Sequence, residues 1–300
     1  MARLVLGTDK SVRIPAVVRD MAPALYREFQ LDTNGILQPN TTTTHIMDFT
    51  GMTDVSDYAL ARAYQNNTAI SGAVDMSDLT TISASNACYY MFSGCTGLTS
   101  VDLSALTRIS ASNACNFMFS GCTGITSVNL SSLTTVSGSS GCSQMFYGCT
   151  GMTSVDLSAL TTISGGSGCS VMFQGCTGMT SVDLSALTTI SGGSGCSQMF
   201  QGCSGITSID LSGLTTVSGS TGCYSMFQGC TSLATVYLGG TTAINFGTRT
   251  NQFTNMFSGC TQNIDVYAPA ANQSAIEAMS GYPNFGGTGT VTWHWNTATE

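Results

Sequence analysis

Cys169-Ser-Val-Met-Phe-Gln-Gly-Cys176-Thr-Gly-Met-Thr-Ser-Val-Asp-Leu-Ser-Ala-Leu-Thr-Thr-Ile190 is one unit of a pattern that fills most of a 300-residue chain. Its first cysteine belongs to a column of Cys88, Cys115, Cys142, Cys169, Cys196 and Cys223, each 27 residues from the last. Its second belongs to Cys95, Cys122, Cys149, Cys176, Cys203 and Cys230, followed by Cys260 after a step of 30. All thirteen cysteines fall in these two columns. A fixed period of this length marks a stack of like supersecondary units rather than a globular enzyme.

Within the unit, Cys169, Met172, Phe173 and Cys176 stand at i, i+3, i+4 and i+7, the apolar stripe of a short helix. Ser and Gly before it supply a cap, and the Gly before the second Cys lets the chain turn out. In Val182-Asp183-Leu184 the period switches to two, a strand with one buried face. Leu187 and Ile190 then read as a curved loop returning to the helix. The spacing matches a leucine-rich repeat. The fold class expected is an α/β repeat solenoid with a parallel sheet on one face and short helices or turns on the other. About nine strands would span roughly 40 Å at about 4.8 Å per rung.

The same ruler extends past the cysteines. Met47-Asp48-Phe49 precedes Val74-Asp75-Met76 by 27, and Val236-Tyr237-Leu238 maps onto Val266-Tyr267-Ala268 across the longer step. That extra length sits in 239–252. Three pieces follow: 1–43, an attachment or capping segment with Pro15, Pro23 and Pro39; 44–268, the solenoid; and 269–300, a C-terminal cap. In the cap, Ala271 to Ser280 reads as a short helix and Thr290-Val-Thr-Trp-His-Trp295 as a final strand.

Charged residues make up 8 % of the chain and the net charge is −8. Between His45 and Ala268, ten Asp face only Arg62, Arg108 and Arg249. That field repels phosphate backbones and disfavours nucleic acid. It suits a neutral or cationic partner, with a divalent ion between as a further option. No apolar run approaches the ~20 residues of a membrane span, and Leu4 to Leu6 is too short for a secretory h-region. The expectation is a cytoplasmic chain or one that leaves by a non-secretory route, such as inside a virus particle.

The run Met172-Phe-Gln-Gly-Cys-Thr-Gly-Met-Thr-Ser-Val-Asp-Leu-Ser-Ala-Leu-Thr-Thr-Ile190 resembles the BspA-like leucine-rich repeats, in the variety with a Met-Phe-x-Gly-Cys signature. That signature recurs seven times, and the resemblance covers about 45 to 295. It implies adhesion or ligand binding at the surface of gut and oral bacteria, not catalysis. The resemblance is expected to stop short of the family's usual surface signals, since no signal peptide, lipid-anchor Cys or cell-wall signal is read in these 300 residues. Its opening, Leu4-Val-Leu-Gly-Thr-Asp-Lys-Ser with Pro15-Ala-Val-Val-Arg19, is similar to the starts of gut bacteriophage proteins. Together these imply a virion fibre or decoration protein. Residues 1–43 would meet other virion proteins, and the solenoid a bacterial surface glycan, a protein or mucus. Homo-oligomers are common among such fibres, and a bacterial surface adhesin is the alternative location.

The cysteines lie on the apolar stripe and read as reduced core residues stacked coil on coil. Cross-links between neighbouring coils are a second option and metal a remote third, since Cys-x6-Cys is not a zinc spacing. The middle residue of each strand triplet gives an outward line: Asp48, Asp75, Asp102, Asn129, Asp156, Asp183, Asp210, Tyr237 and Tyr267. Its stretch from Asp102 to Tyr267 is the candidate ligand site, on what reads as the concave face. Carboxylates about 5 Å apart should repel and raise one another's pKa. One reading is a polar groove for a glycan or peptide, with Ca²⁺ as an option and the tyrosines as stacking platforms. The other is that Asp solubilises the strand and bonds neighbouring hydroxyls. The Thr-Thr pairs (Thr80-Thr81, Thr134-Thr135, Thr161-Thr162, Thr188-Thr189, Thr215-Thr216) form a second hydroxyl array, of the kind that can order water. No catalytic constellation emerges, because His45 and His294 sit at opposite ends and no Gly-x-Ser-x-Gly or phosphate-loop Lys occurs.

Overall fold

The computed structural model describes residues 41, 43, 44, 46, 49–55 and 60–297. Nine parallel strands form the main sheet. In spatial order they are β1 (Ser71–Asp75), β3 (Gly97–Asp102), β5 (Ser127–Asn129), β7 (Ser154–Asp156), β9 (Ser181–Asp183), β11 (Ser208–Leu211), β13 (Thr235–Leu238), β14 (Ile264–Pro269) and β15 (Val291–Asn296). Each Ser-Val-Asp triplet turns its central apolar residue into the core and its neighbours outward, as the pleat requires: Val155 is buried while Ser154 and Asp156 are exposed. The solenoid therefore stands as read from the period. The strand expected around Met47 and Asp48 and most of segment 1–43 lie outside the described residues. The ninth strand is instead β15, which adds to β14 in parallel.

The returning loop contains a second sheet that the period did not announce. Its strands are β2 (Thr81–Ile82), β4 (Arg108–Ile109), β6 (Thr135–Val136), β8 (Thr162–Ile163), β10 (Thr189–Ile190) and β12 (Thr216–Val217), all parallel. The Thr-Thr pairs thus lie on or beside a sheet. The first hydroxyl of each pair is engaged along the array: Thr161 Oγ1 donates to the Thr134 carbonyl at 3.1 Å and Thr188 Oγ1 to that of Thr161 at 3.1 Å.

The Cys-Met-Phe-Cys stripe is not a helix. Met172 N and Cys176 N bond carbonyls three residues back, on Cys169 and Phe173. The intervening amides of Cys169, Val171, Phe173 and Gly175 reach the next coil, at Gly195, Ser197, Met199 and Gln201. Val171 and Gly175 take positive φ of 61° and 75° to make this alternation. The reason is width. Helices pack about 8–10 Å apart, whereas paired strands set a rise of about 4.8 Å per coil. A thin string of turns keeps that step; a helix in every coil would not. The one α-helix among the described residues, α1 (Gln273–Glu277), lies in the final coil after a 3-10 turn at Ala270–Asn272.

Inside, identical residues stack. Tyr64, Phe92, Phe119, Phe146, Phe173, Phe200, Phe227 and Phe257 form one column of near-parallel rings, with centroids 5.1 to 6.2 Å apart. All thirteen cysteines are free and buried. Those of the second column donate their S–H to the backbone of the preceding coil: Cys176 Sγ lies 3.1 Å from the Phe146 carbonyl and Cys203 Sγ 3.0 Å from that of Phe173. A small apolar side chain with one weak donor suits a dry site beside a carbonyl. In the first described coil Asn67 holds the corresponding place, donating from Nδ2 to the Thr43 carbonyl at 2.9 Å.

Candidate functional site

The outward column of the main sheet is in strict register. Asp75 pairs with Asp102, Asp102 with Asn129, Asn129 with Asp156, Asp156 with Asp183 and Asp183 with Asp210. Asp210 then pairs with Tyr237 and Tyr237 with Tyr267. The line continues one rung further than the sequence reading took it, because Tyr267 pairs with His294. The signal was present, since His294 stands 27 residues after Tyr267. Beside this line runs a hydroxyl column, Ser100, Ser127, Ser154 and Ser181, with Thr235, Asp265 and Thr292 at its far end.

The acidic half is a row of turn caps. At each rung Oδ1 accepts the backbone N–H two residues on: Ser104 to Asp102 at 2.9 Å, Ser158 to Asp156 at 3.1 Å, Ser185 to Asp183 at 2.9 Å and Ser212 to Asp210 at 2.8 Å. Asn129 does the same for Ser131 at 3.1 Å, which explains how an amide substitutes in the column. This is the local bond by which Asp and Asn end a strand in a turn. It also corrects the electrostatic expectation at Asp183. The Ser185 hydroxyl, 2.7 Å away, and the Ser185 N–H hold that carboxyl below its ordinary value, so donors outweigh any neighbouring charge.

Between β1 and β7 the face forms an open trough of about 530 Å³ whose polar lining includes Asp75, Ser100, Asp102, Ser127, Asn129 and Asp156. The other end is aromatic. Tyr237 and Tyr267 stack at 5.1 Å, and Tyr267 and His294 at 4.6 Å. Their faces point along the solenoid axis, so Tyr267 is covered on both sides. What the stack presents outward is ring edges and hydroxyls. Tyr237 is the most open of the three, 42 % exposed. Asp265 fixes the last ring, with Oδ1 at 2.8 Å from His294 Nε2. Among the described residues no three of His, Cys, Asp and Glu converge as a metal cage.

A stacked parallel sheet closed by strings of turns, with one residue of each coil aligned in an outward column, defines a leucine-rich-repeat solenoid. The chain belongs to the BspA-type leucine-rich-repeat family: the model described as "BspA type Leucine rich repeat region" matches residues 66–193 and 142–278, in six copies, more than half of the chain. Solved structures of similar proteins include a leucine-rich repeat protein from Bacteroides ovatus, 16 % identical over 89 % of this chain and 97 % of that one, with a TM-score of 0.29. Another is a leucine rich cell surface protein from Faecalibacterium prausnitzii, 12 % identical over 89 % of this chain and 93 % of that one, with a TM-score of 0.26. No curated protein matches the chain.

Proposed function

We propose that the chain is a non-enzymatic binding protein whose solenoid contacts a bacterial surface glycan, a surface protein or mucus through the outer face of the main sheet. The finer reading is a phage virion-surface protein, fibre or decoration, joined to other virion proteins through residues 1–43. One observation supports the binding face most: the inner Met, Phe and second Cys columns repeat one residue from Met91, Phe92 and Cys95 to Met256, Phe257 and Cys260, while the outward column passes from Asp102, Asn129, Asp156, Asp183 and Asp210 to Tyr237 and Tyr267 in unbroken register. A scaffold that only needed solubility has no use for that change. The acidic, hydroxyl-rich trough suits a partner rich in hydroxyl or cationic groups, and the tyrosine end offers phenol hydroxyls and ring edges.

A purely architectural role, as a decoration or spacer within an assembly, is the second reading. It is favoured by the strand-end caps, since every acidic rung already serves its own turn. The two readings separate on Asp→Asn variants. Asn keeps the Oδ1 acceptor, as Asn129 does, and removes the charge. The full chain applied to glycan arrays and to intact gut bacteria should bind specifically. The Asp156→Asn, Asp183→Asn, Asp210→Asn triple variant should stay folded and lose at least tenfold in affinity. Unchanged affinity would put the ligand elsewhere, and no binding at all would favour the spacer. Proteomics of purified phage particles tests the virion location.

A further inference from the structure

The open edge of the main sheet carries a feature that the ligand reading does not use. Among the described residues β15 pairs only with β14, and no other described strand covers its outer edge. Its core, Thr292-Trp293-His294-Trp295-Asn296, reads the same in both directions around His294: polar, Trp, His, Trp, polar. It contains no Pro, Lys, Arg or acid, the residues that usually guard an edge. The backbone alternation is also fixed. Ile264 N bonds the Thr290 carbonyl, so the even-numbered residues Thr292, His294 and Asn296 direct their main-chain groups at β14. The N–H and C=O of Trp293 and Trp295 therefore face the open side. At Val291 the outward N–H is already taken by Asn284 Oδ1, at 3.3 Å.

We propose that this edge is a dimer interface in which β15 pairs antiparallel with β15 of a second copy about a two-fold axis at His294. A two-fold interface needs a patch complementary to itself, and a strand palindromic about one residue supplies it. In that register Trp293 lies opposite the second copy's Trp295 and exchanges both main-chain hydrogen bonds with it; the symmetric pair doubles the number. His294 meets the second copy's His294 in the non-hydrogen-bonded position, where side chains come closest. Directly opposite residues share a face, so all partners match. Trp293 and Trp295, themselves stacked at 5.6 Å, continue the core across the junction. The His294 face left open by Tyr267 meets its twin, so the Tyr237, Tyr267 and His294 stack runs on into the second molecule. The 9-stranded sheet becomes continuous through both copies.

The test uses the full chain in sedimentation equilibrium. Wild type should be dimeric at about 100 µM. His294→Lys and His294→Glu each put like charges directly opposite and should weaken the dimer at least tenfold. An equimolar mixture of the two should restore it as a heterodimer, which two misfolded variants would not do. Independently, His294→Cys should form an inter-chain disulfide on mild oxidation, since Cα atoms about 4.5 Å apart at that rung lie within disulfide reach. Thr292→Cys should not, because its opposite number is Asn296. The native cysteines are buried and do not compete. A monomeric wild type, a His294→Lys variant that still dimerises, failure of the mixture to associate, or equal cross-linking at both positions would overturn the proposal.

Discussion

The central coils, Cys115 to Val217, and the last two, Val236 to Asn296, share inner columns and differ in almost everything else. In the central coils the phenylalanine rings step by 5.4 to 5.7 Å and both sheets continue without a break. Toward the end the ring steps widen to 6.0 and 6.2 Å. The second sheet stops at β12, with a lone bridge from Thr216 to Asn245, and the outward column turns from Asp to Tyr and His. The difference teaches that stacking constrains the inside and leaves the outside free. Specialisation is therefore concentrated where one end relaxes the repeat.

The largest expected effect comes from charging the core. Burial pushes the thiols of Cys88, Cys95, Cys176 and Cys223 up to about 12 from an ordinary 9.0, and Cys260, at the relaxed end, to about 11. These folded-state values lie above the unfolded ones. Stability is therefore intact below about pH 9 and is lost as pH rises towards 12, by up to about 1.4 kcal/mol per pH unit for each such thiol. Urea midpoints under reducing conditions should be flat from pH 6 to 8 and fall steeply above 9. Both tryptophans sit in β15, so their fluorescence reports the end alone. A terminal coil has a neighbour on one side only, so this fluorescence should change at a lower pH than the far-ultraviolet signal of the whole array. A single coincident transition would mean the two regions melt as one.

The ring column offers the next test. Phe173→Ala removes a fully buried ring held between two others and should cost about 3–5 kcal/mol by urea unfolding. Phe257, equally buried, stacks on Phe227 alone in that column, at 6.2 Å. Its replacement by Ala should fall near the lower end of that range and fray the last coil first. Equal costs would show that widening of the column has no energetic meaning.

Where sequence reading succeeded and where it missed follows from what spacing encodes. A 27-residue step puts Val155 above Val128 and Asp156 beside Asn129 whatever the chain does between, so the main sheet and the outward column were legible. Spacing records burial, not dihedral angles. Cys169, Met172, Phe173 and Cys176 all face inward in a helix and equally in three-residue turns with a left-handed residue at Val171. Only the width of a helix against the strand step separates the two. The second sheet escaped because Thr-Ile pairs are too short to show an alternation. The caps on Asp156 and Asp183 were within reach, since Ser stands two residues after each.

At the junction of the two regions, Gln252 does what a sheet strand does elsewhere. Its Nε2 donates to the Phe246 carbonyl at 2.7 Å and to that of Val217, the last residue of β12, at 3.4 Å. The side chain is fully buried and its Oε1 has no partner among the described residues, so the residue acts through its donors. Gln252→Ala strands the Val217 carbonyl and leaves that of Phe246 with only the Arg249 N–H, at 3.5 Å, and should cost about 1–3 kcal/mol. Because the loss falls after β12, hydrogen exchange should rise in 239–257 and leave β6 to β10 protected. Uniform loss of protection would mean that the insertion is coupled rigidly to the central array.

The smallest effect is a gain, and it distinguishes the regions by strain. Val171 and Asn255 hold the same place in their coils, at φ of 61° and 56°. For a β-branched residue a left-handed backbone costs roughly 1–2 kcal/mol; Asn visits that region readily. Gly removes the strain but gives up roughly 0.5–1 kcal/mol in unfolded-chain entropy. Val171→Gly should therefore stabilise the chain by up to about 1 kcal/mol, whereas Asn255→Gly should change little or destabilise slightly. Thermal unfolding of the two variants side by side measures the difference directly. If Val171→Gly is neutral as well, the inter-coil bond from Val171 N to Ser197 is not held against strain, and the turn string is more forgiving than its dihedral angles imply.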